Sequence, residues 1–194
     1  SEGFAKKIAE AFDIAAFHGV EPKSLTDATF RDKNSFDGLV KTNTVTYDAE
    51  HIDDNIDAAV QQIVAKGGEV TGIALSPTAG QALSKIKVNG VTQYPEFRFG
   101  QNPNSFYGMD TGMTKNLTLA SGSHTAETDH VIVGDFANLF KWGYADSVPL
   151  EIIQYGDPDQ TGRDLKAYNE ICLRSEVYIG WGILDGEGFA RVKA

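Results

Sequence analysis

Ile171-Cys172-Leu173-Arg174-Ser175-Glu176-Val177-Tyr178-Ile179-Gly180-Trp181-Gly182-Ile183 is the stretch on which the fold turns. Ile171, Leu173, Val177, Ile179, Trp181 and Ile183 occupy odd positions, interrupted only by Ser175, while Arg174, Glu176, Tyr178, Gly180 and Gly182 take even ones. Alternation of this kind predicts a long, half-buried β-strand. A slip of one residue would turn every apolar side chain to water, so something bulky must pack against the odd face and fix the register. The amphipathic segment at the other end of the chain, residues 4–18, is the expected cover.

Size and composition set the frame for that strand. A chain of 194 residues, 41% hydrophobic and 10% aromatic, can bury a real core in one to one and a half domains. No apolar run approaches the roughly 20 residues that span a bilayer, and the start, Ser1-Glu2-Gly3, has no signal-sequence pattern. The single cysteine, Cys172, excludes a disulfide or a cysteine metal cluster within one chain. Lys plus Arg number 17 against 27 Asp plus Glu, a formal charge of −10, with no basic run to grip phosphates.

Taken in order, Phe4, Ala5, Ile8, Ala9, Ala11, Phe12, Ala15 and Ala16 form a wide apolar arc that predicts a helix over 4–18, stopped by Gly19. A helix that starts without a cap implies a natural protein that continues upstream. Residues 23–38 are polar and irregular, and Leu39–Tyr47 holds a short strand. Ile56, Ala59, Val60, Ile63 and Val64 keep helical spacing between an Asp53 or Asp54 cap and Gly67-Gly68. A strand over 69–76 and a helix opened by Ser76-Pro77 follow, which together make an α/β layer. From Asn89 to Gly112, Gly, Pro and Asn dominate and predict a long loop system that holds Phe97, Phe99, Phe106 and Tyr107, and such loops often carry partner contacts. Leu117–Leu119, Asp129–Val133 and Val148–Tyr155 are further strand candidates.

Chemistry is sparse. Asp157, Asp159, Thr161 and Gly162 are spaced like the first half of a calcium loop, but position twelve is Tyr168, and a solvated turn is the better reading. Ser121, Ser123, His124, Asp129 and His130 bring hydroxyl, imidazole and carboxylate close in sequence without a Gly-x-Ser-x-Gly elbow, which favours a polar loop over a hydrolase site. His18 and His51 stand at helix ends, with no paired-histidine spacing for a metal. Asn116-Leu117-Thr118 is a chance glycosylation sequon. No catalytic, cofactor-binding or metal-binding residue is therefore assigned, and no enzyme activity is expected.

The first helix ending in Phe12-Asp13 and His18-Gly19, the helix–strand–Ser-Pro–helix unit at 54–86, Val133-Gly134-Asp135-Phe136, and the closing Arg174–Val192 with Gly188-Phe189-Ala190-Arg191-Val192 together resemble a tailed-phage major capsid protein of the Hong Kong 97-type fold. The resemblance runs in order through nearly the whole chain. It implies an α+β fold with an axial α/β domain at 37–150. A peripheral domain would be built from a spine helix in 1–36 and a sheet in 151–194, and the chain would begin inside what resembles that spine helix, after the inter-subunit arm.

The same resemblance implies a structural subunit of an icosahedral phage or prophage shell, self-assembling into pentamers and hexamers around double-stranded DNA. Its partners would be copies of itself, with scaffold, maturation protease and portal proteins. It would bind no cofactor, no membrane and no particular DNA sequence. The virion capsid would be its place, with assembly in the bacterial host cytoplasm. Asn169 and Glu176 lie near the position where some relatives crosslink subunits, and are read as a chance pair. An encapsulin-type compartment shell and a small α/β hydrolase are the alternatives.

Overall fold

The computed structural model describes residues 2–118 and 128–194. The chain divides into two compact units, Ser1–Ala9 with Trp142–Gly180 and Glu10–Lys141 with Trp181–Ala194. The second holds a six-stranded sheet in the order β1(Thr44–Thr46), β10(Phe189–Lys193), β7(Asp129–Gly134), β2(Gly72–Leu75), β6(Met109–Met113), β5(Ser105–Phe106). β10 runs parallel to β1 and antiparallel to β7, which is antiparallel to β2, and β6 is parallel to β2. The expected α+β class is what the chain has.

Alternation sorts the sheet's side chains onto two faces. Ile73 and Leu75 of β2, Val131 and Val133 of β7, and Ala190 and Val192 of β10 share one core with the helices α3(Ile52–Val64) and α4(Pro77–Lys85). α3 contributes Ile52, Ile56, Ala59 and Ile63, a helical stripe one face wide. It starts at Ile52 after His51, which makes no side-chain cap, so Asp53 and Asp54 lie in the first turn, where their charges favour the helix dipole, and not at the expected cap. Ser76 does cap α4, its Oγ accepting from the Ala79 N–H at 3.0 Å, with Pro77 at the first turn.

Ala74, Ile132 and Phe189 face the other way, into a second core with Phe36, Val40, Leu117 and Ile183. Phe36, in the short helix α2(Phe36–Leu39), is its centre, with the rings of Phe17, Phe136, Phe140 and Phe189 at 5.0–5.7 Å. Gly134 admits Phe189 beside it; a Cβ there would stand 2.3 Å from the Phe189 ring. The short helix α5(Phe136–Leu139) turns the chain out of β7.

Several segments differ from the expectation. Residues 89–112 are not all loop: a hairpin of β3(Lys87–Val88) and β4(Val91–Thr92), a 3-10 turn at Pro95–Gly100, and the strands β5 and β6 occupy them. Phe97 and Phe106 drop into the first core, 1% and 6% exposed. Gly, Pro and Asn give the turns their shape, but buried aromatics decide where the segment packs. Residues 115–118 form a 3-10 turn and not a strand.

The long strand of the opening stretch is β9(Cys172–Ile183), paired with β8(Phe140–Ile153) in a two-stranded ribbon; β8 begins eight residues before its expected start. At the end of β9 the odd face is packed as anticipated. Trp181 lies edge-on between Phe12 of α1(Glu2–His18) at 5.5 Å and Phe30 at 5.2 Å, and its Nε1–H donates to the Asn34 carbonyl. Asn34 in turn donates to the Trp181 carbonyl and accepts from the Ile183 N–H, which pins the register. Ile171 and Leu173, at the strand's other end, are 62% and 44% exposed.

Candidate functional site

β10 reads Phe-Ala-Arg-Val, and the arginine in that apolar run is the signal that sequence reading passed over. Arg191 is 1% exposed, and a buried guanidinium needs partners. Its Nε and Nη2 donate to both oxygens of Asp129, at 2.9 and 3.0 Å, in a two-point fork. Nη2 also donates to Asp37 at 2.9 Å, and Nη1 to the Val40 carbonyl at 3.0 Å.

A bulge puts Asp129 there. Val192 pairs with Val131 but Lys193 pairs with Asp129, so His130 is an extra residue in β7. It flips the alternation and turns the Asp129 carboxylate onto the face of Arg191.

Asp37 carries the network onward. Its second oxygen lies 3.0 Å from His18 Nδ1, at the end of α1, and 3.7 Å from Arg31. His18 Nε2 is 2.6 Å from the Asn116 carbonyl, and Arg31 donates to the His18 carbonyl at 2.6 Å. A carbonyl and a carboxylate both accept, so both ring nitrogens of His18 carry protons and the ring is a cation.

The titration follows from these contacts. Burial works against the His18 charge, but the bond to Asp37 and its negative charge outweigh it, so the pKa is raised. Burial also pushes Asp37 up, and the His18 bond and the Arg191 charge overcome it, holding the carboxyl below its usual range. Asp129, on the same guanidinium, moves the other way: burial drives it up to about 7, with Arg191 only partly offsetting. Asp37 is bonded to both His18 and Arg191 with Arg31 nearby, whereas Asp129 is bonded to Arg191 and has the Asp37 charge beside it.

His18, Asp37 and Asp129 lie close enough to suggest a metal cluster. The donor set does not fit one, because both His18 nitrogens are protonated and the Asp129 oxygens are taken by Arg191. What the arrangement does is bracing: it ties α1, α2, the 115–118 turn, β7 and β10 at one buried point.

The residues weighed for hydrolysis are dispersed. Ser121, Ser123 and His124 lie outside the described residues. Asp129 belongs to Arg191, while the His130 ring stacks on Tyr47 at 3.8 Å and burial lowers its pKa. His130 Nδ1 does reach Ser76 Oγ at 3.3 Å, but Ser76 is 0% exposed and caps α4, so no substrate meets it. His51 sits before α3, bonded to Asp48. Asn116 of the sequon is buried against Asp13.

In the calcium-like loop, Asp157 accepts from the N–H groups of Thr161 and Gly162, and Asp159 from the Thr161 hydroxyl. The carboxylates close their own turn. Glu176 accepts from Arg174 and from the Tyr178 hydroxyl, and Asn169 holds a left-handed backbone, φ 54°. Of the four aromatics in 97–107, Phe99 and Tyr107 are left outside, 91% and 79% exposed, both on left-handed residues. No described helix is long and apolar enough to cross a membrane.

No protein-family model and no curated protein matches the chain. Solved structures do. One from Mycobacterium phage Ogopogo is 28% identical with a TM-score of 0.84, covering 96% of this chain and 64% of that one. One from Gordonia phage Cozz is 24% identical with a TM-score of 0.80, covering 99% and 61%. The capsid of an empty GTA particle, 16% identical, matches at a TM-score of 0.59 over 99% and 64%. The chain thus spans less than two thirds of the length of these structures, and the fold it shares with them is that of phage capsids.

Proposed function

We propose that this chain, with its phage-capsid fold, is a structural subunit of an icosahedral bacteriophage or prophage shell that self-assembles into pentamers and hexamers and encloses double-stranded DNA. The observation that carries the reading is the likeness to the Ogopogo phage structure, which runs through 96% of the chain at 28% identity. The subunit works by self-association and not by catalysis. Its partners are other copies of itself, with scaffold, maturation protease and portal proteins joining during assembly in the host cytoplasm. The formal charge of −10 suits a wall that repels packaged phosphates and does not hold them.

In this reading residues 37–150 form the axial domain and residues 1–36 and 151–194 the peripheral one, with β10 reaching into the axial sheet. Phe99 and Tyr107 project from the axial domain as contacts between neighbours. The test is expression of the full-length protein, alone and with a scaffold, followed by negative-stain electron microscopy. Closed shells or capsomer rings are the expected result. A protein that stays monomeric under all assembly conditions overturns the reading.

A further inference from the structure

β8 carries its large apolar residues at alternate positions, Trp142, Tyr144, Leu150 and Ile152, while Gly143, Ala145, Ser147, Pro149 and Glu151 lie between them. In a half-buried strand the large apolar side enters a core. Here Trp142, Tyr144, Leu150 and Ile152 are 56%, 64%, 45% and 58% exposed, and Trp142 meets Tyr144 edge-on at 5.4 Å. Among the described residues β8 pairs with β9 alone, and a two-stranded ribbon with large apolar side chains this exposed is marginal by itself.

We propose that this face of β8 packs against the same face of a second copy of the chain, the two strands antiparallel about a twofold axis near residue 147. The proposal rests on the reading that the chain works by self-association, and it names the surface. The sequence is self-complementary about that point: Trp142 faces Ile152 of the other copy and Tyr144 faces Leu150, an aromatic against an aliphatic each time. Asp146, the acid on this face, does not stand opposite its own copy, so no like-charged pair forms directly across the axis.

Area supports the same occupant. The four side chains offer roughly 400 Å² of apolar surface, about half of the roughly 800 Å² that each partner buries in a standard interface, and such interfaces are a little over half apolar. Pro149, which has no N–H, would interrupt any continuous third strand added along the β8 edge, and this favours an approach face to face.

The test is site-directed crosslinking in a C172S background, with diamide as oxidant, on the full-length protein. Y144C and L150C are prepared separately and mixed. The mixture should yield the crosslinked heterodimer about tenfold or more faster than either variant alone yields its homodimer, because only the mixed pair brings the two thiols together in the native register. Circular dichroism and a thermal melt confirm that both variants are folded. Equal rates in the mixture and the single variants, or no crosslink in any of them, overturn the proposal. If shells form while the mixture shows no preference, this surface is wrong and the capsid reading stands; if neither shells nor crosslinks form, both fall.

Discussion

Replacing Arg191 with Met should destabilise the chain in a way that depends on pH. The guanidinium holds Asp129 with two bonds, Asp37 with one and the Val40 carbonyl with one, all buried. Asp37 keeps His18 and Arg31, so its loss is partial. The lost bonds and the orphaned Val40 carbonyl cost about 2 kcal/mol at any pH.

Asp129 adds a second part. With Arg191 present its carboxyl titrates at about 7. Without it the carboxyl stays neutral well into the alkaline range, so below pH 7 both chains carry a protonated Asp129 and the difference from this group is small. Above pH 7 only the parent gains from ionisation, and the penalty grows by about 1.4 kcal/mol per pH unit. The whole effect is then about 2 kcal/mol at pH 6 and about 4 kcal/mol at pH 8.5. Urea unfolding followed by circular dichroism across this range measures it, and adding D129N to R191M should flatten the pH dependence. A penalty that is flat with pH, or below about 1 kcal/mol throughout, refutes the argument.

The parent chain should be most stable in mild acid. Asp129, raised, contributes stability that is full below its usual 3.8 and gone above about 7, and His18, raised, contributes stability lost as pH climbs past its own pKa, above 6.5. Asp37, lowered, contributes stability lost as pH falls below 3.8, so thermal melts should decline on both sides, and H18Q should blunt the alkaline decline. W181A removes a ring between Phe12 and Phe30 and should cost about 3–5 kcal/mol in denaturant melts, while L173A, on an exposed part of the same strand, should cost under about 0.5 kcal/mol. G134A sets a methyl against Phe189 and should cost about 1–3 kcal/mol by the same measurement. F99S with Y107S should leave the melting temperature unchanged and abolish shells seen by electron microscopy; shells in normal yield would remove these aromatics from the assembly contacts.

Much of the fold was legible because local signals agreed with tertiary placement. α4 announced itself through Ser76-Pro77, and α3 through its apolar spacing, because cap and stripe are written within one element. β6 was hidden: Met109-Asp110-Thr111-Gly112-Met113 has no strong strand propensity, and its place beside β2 comes from a parallel ladder that joins residues far apart in sequence. The buried cluster was hidden for the same reason. Arg191 meets Asp129 across 62 positions and Asp37 across 154, and no spacing rule reaches that far. An arginine inside Phe-Ala-Arg-Val was the trace available, and it names the need for a partner without naming the partner.

The position of β10 between β1 and β7 sets a clock on the chain's birth. Among the described residues β1 joins the sheet through β10, and Val40, just before β1, waits 151 residues for the arginine that binds its carbonyl. At about 5–20 residues per second, translation takes roughly 8 to 30 s to cover that interval. Within it the emerging polypeptide gains β2 and then β7, and until Phe189 it lacks the strand that joins them to β1. Completion of this sheet therefore waits for β10, and a chain cut before Phe189 cannot complete it.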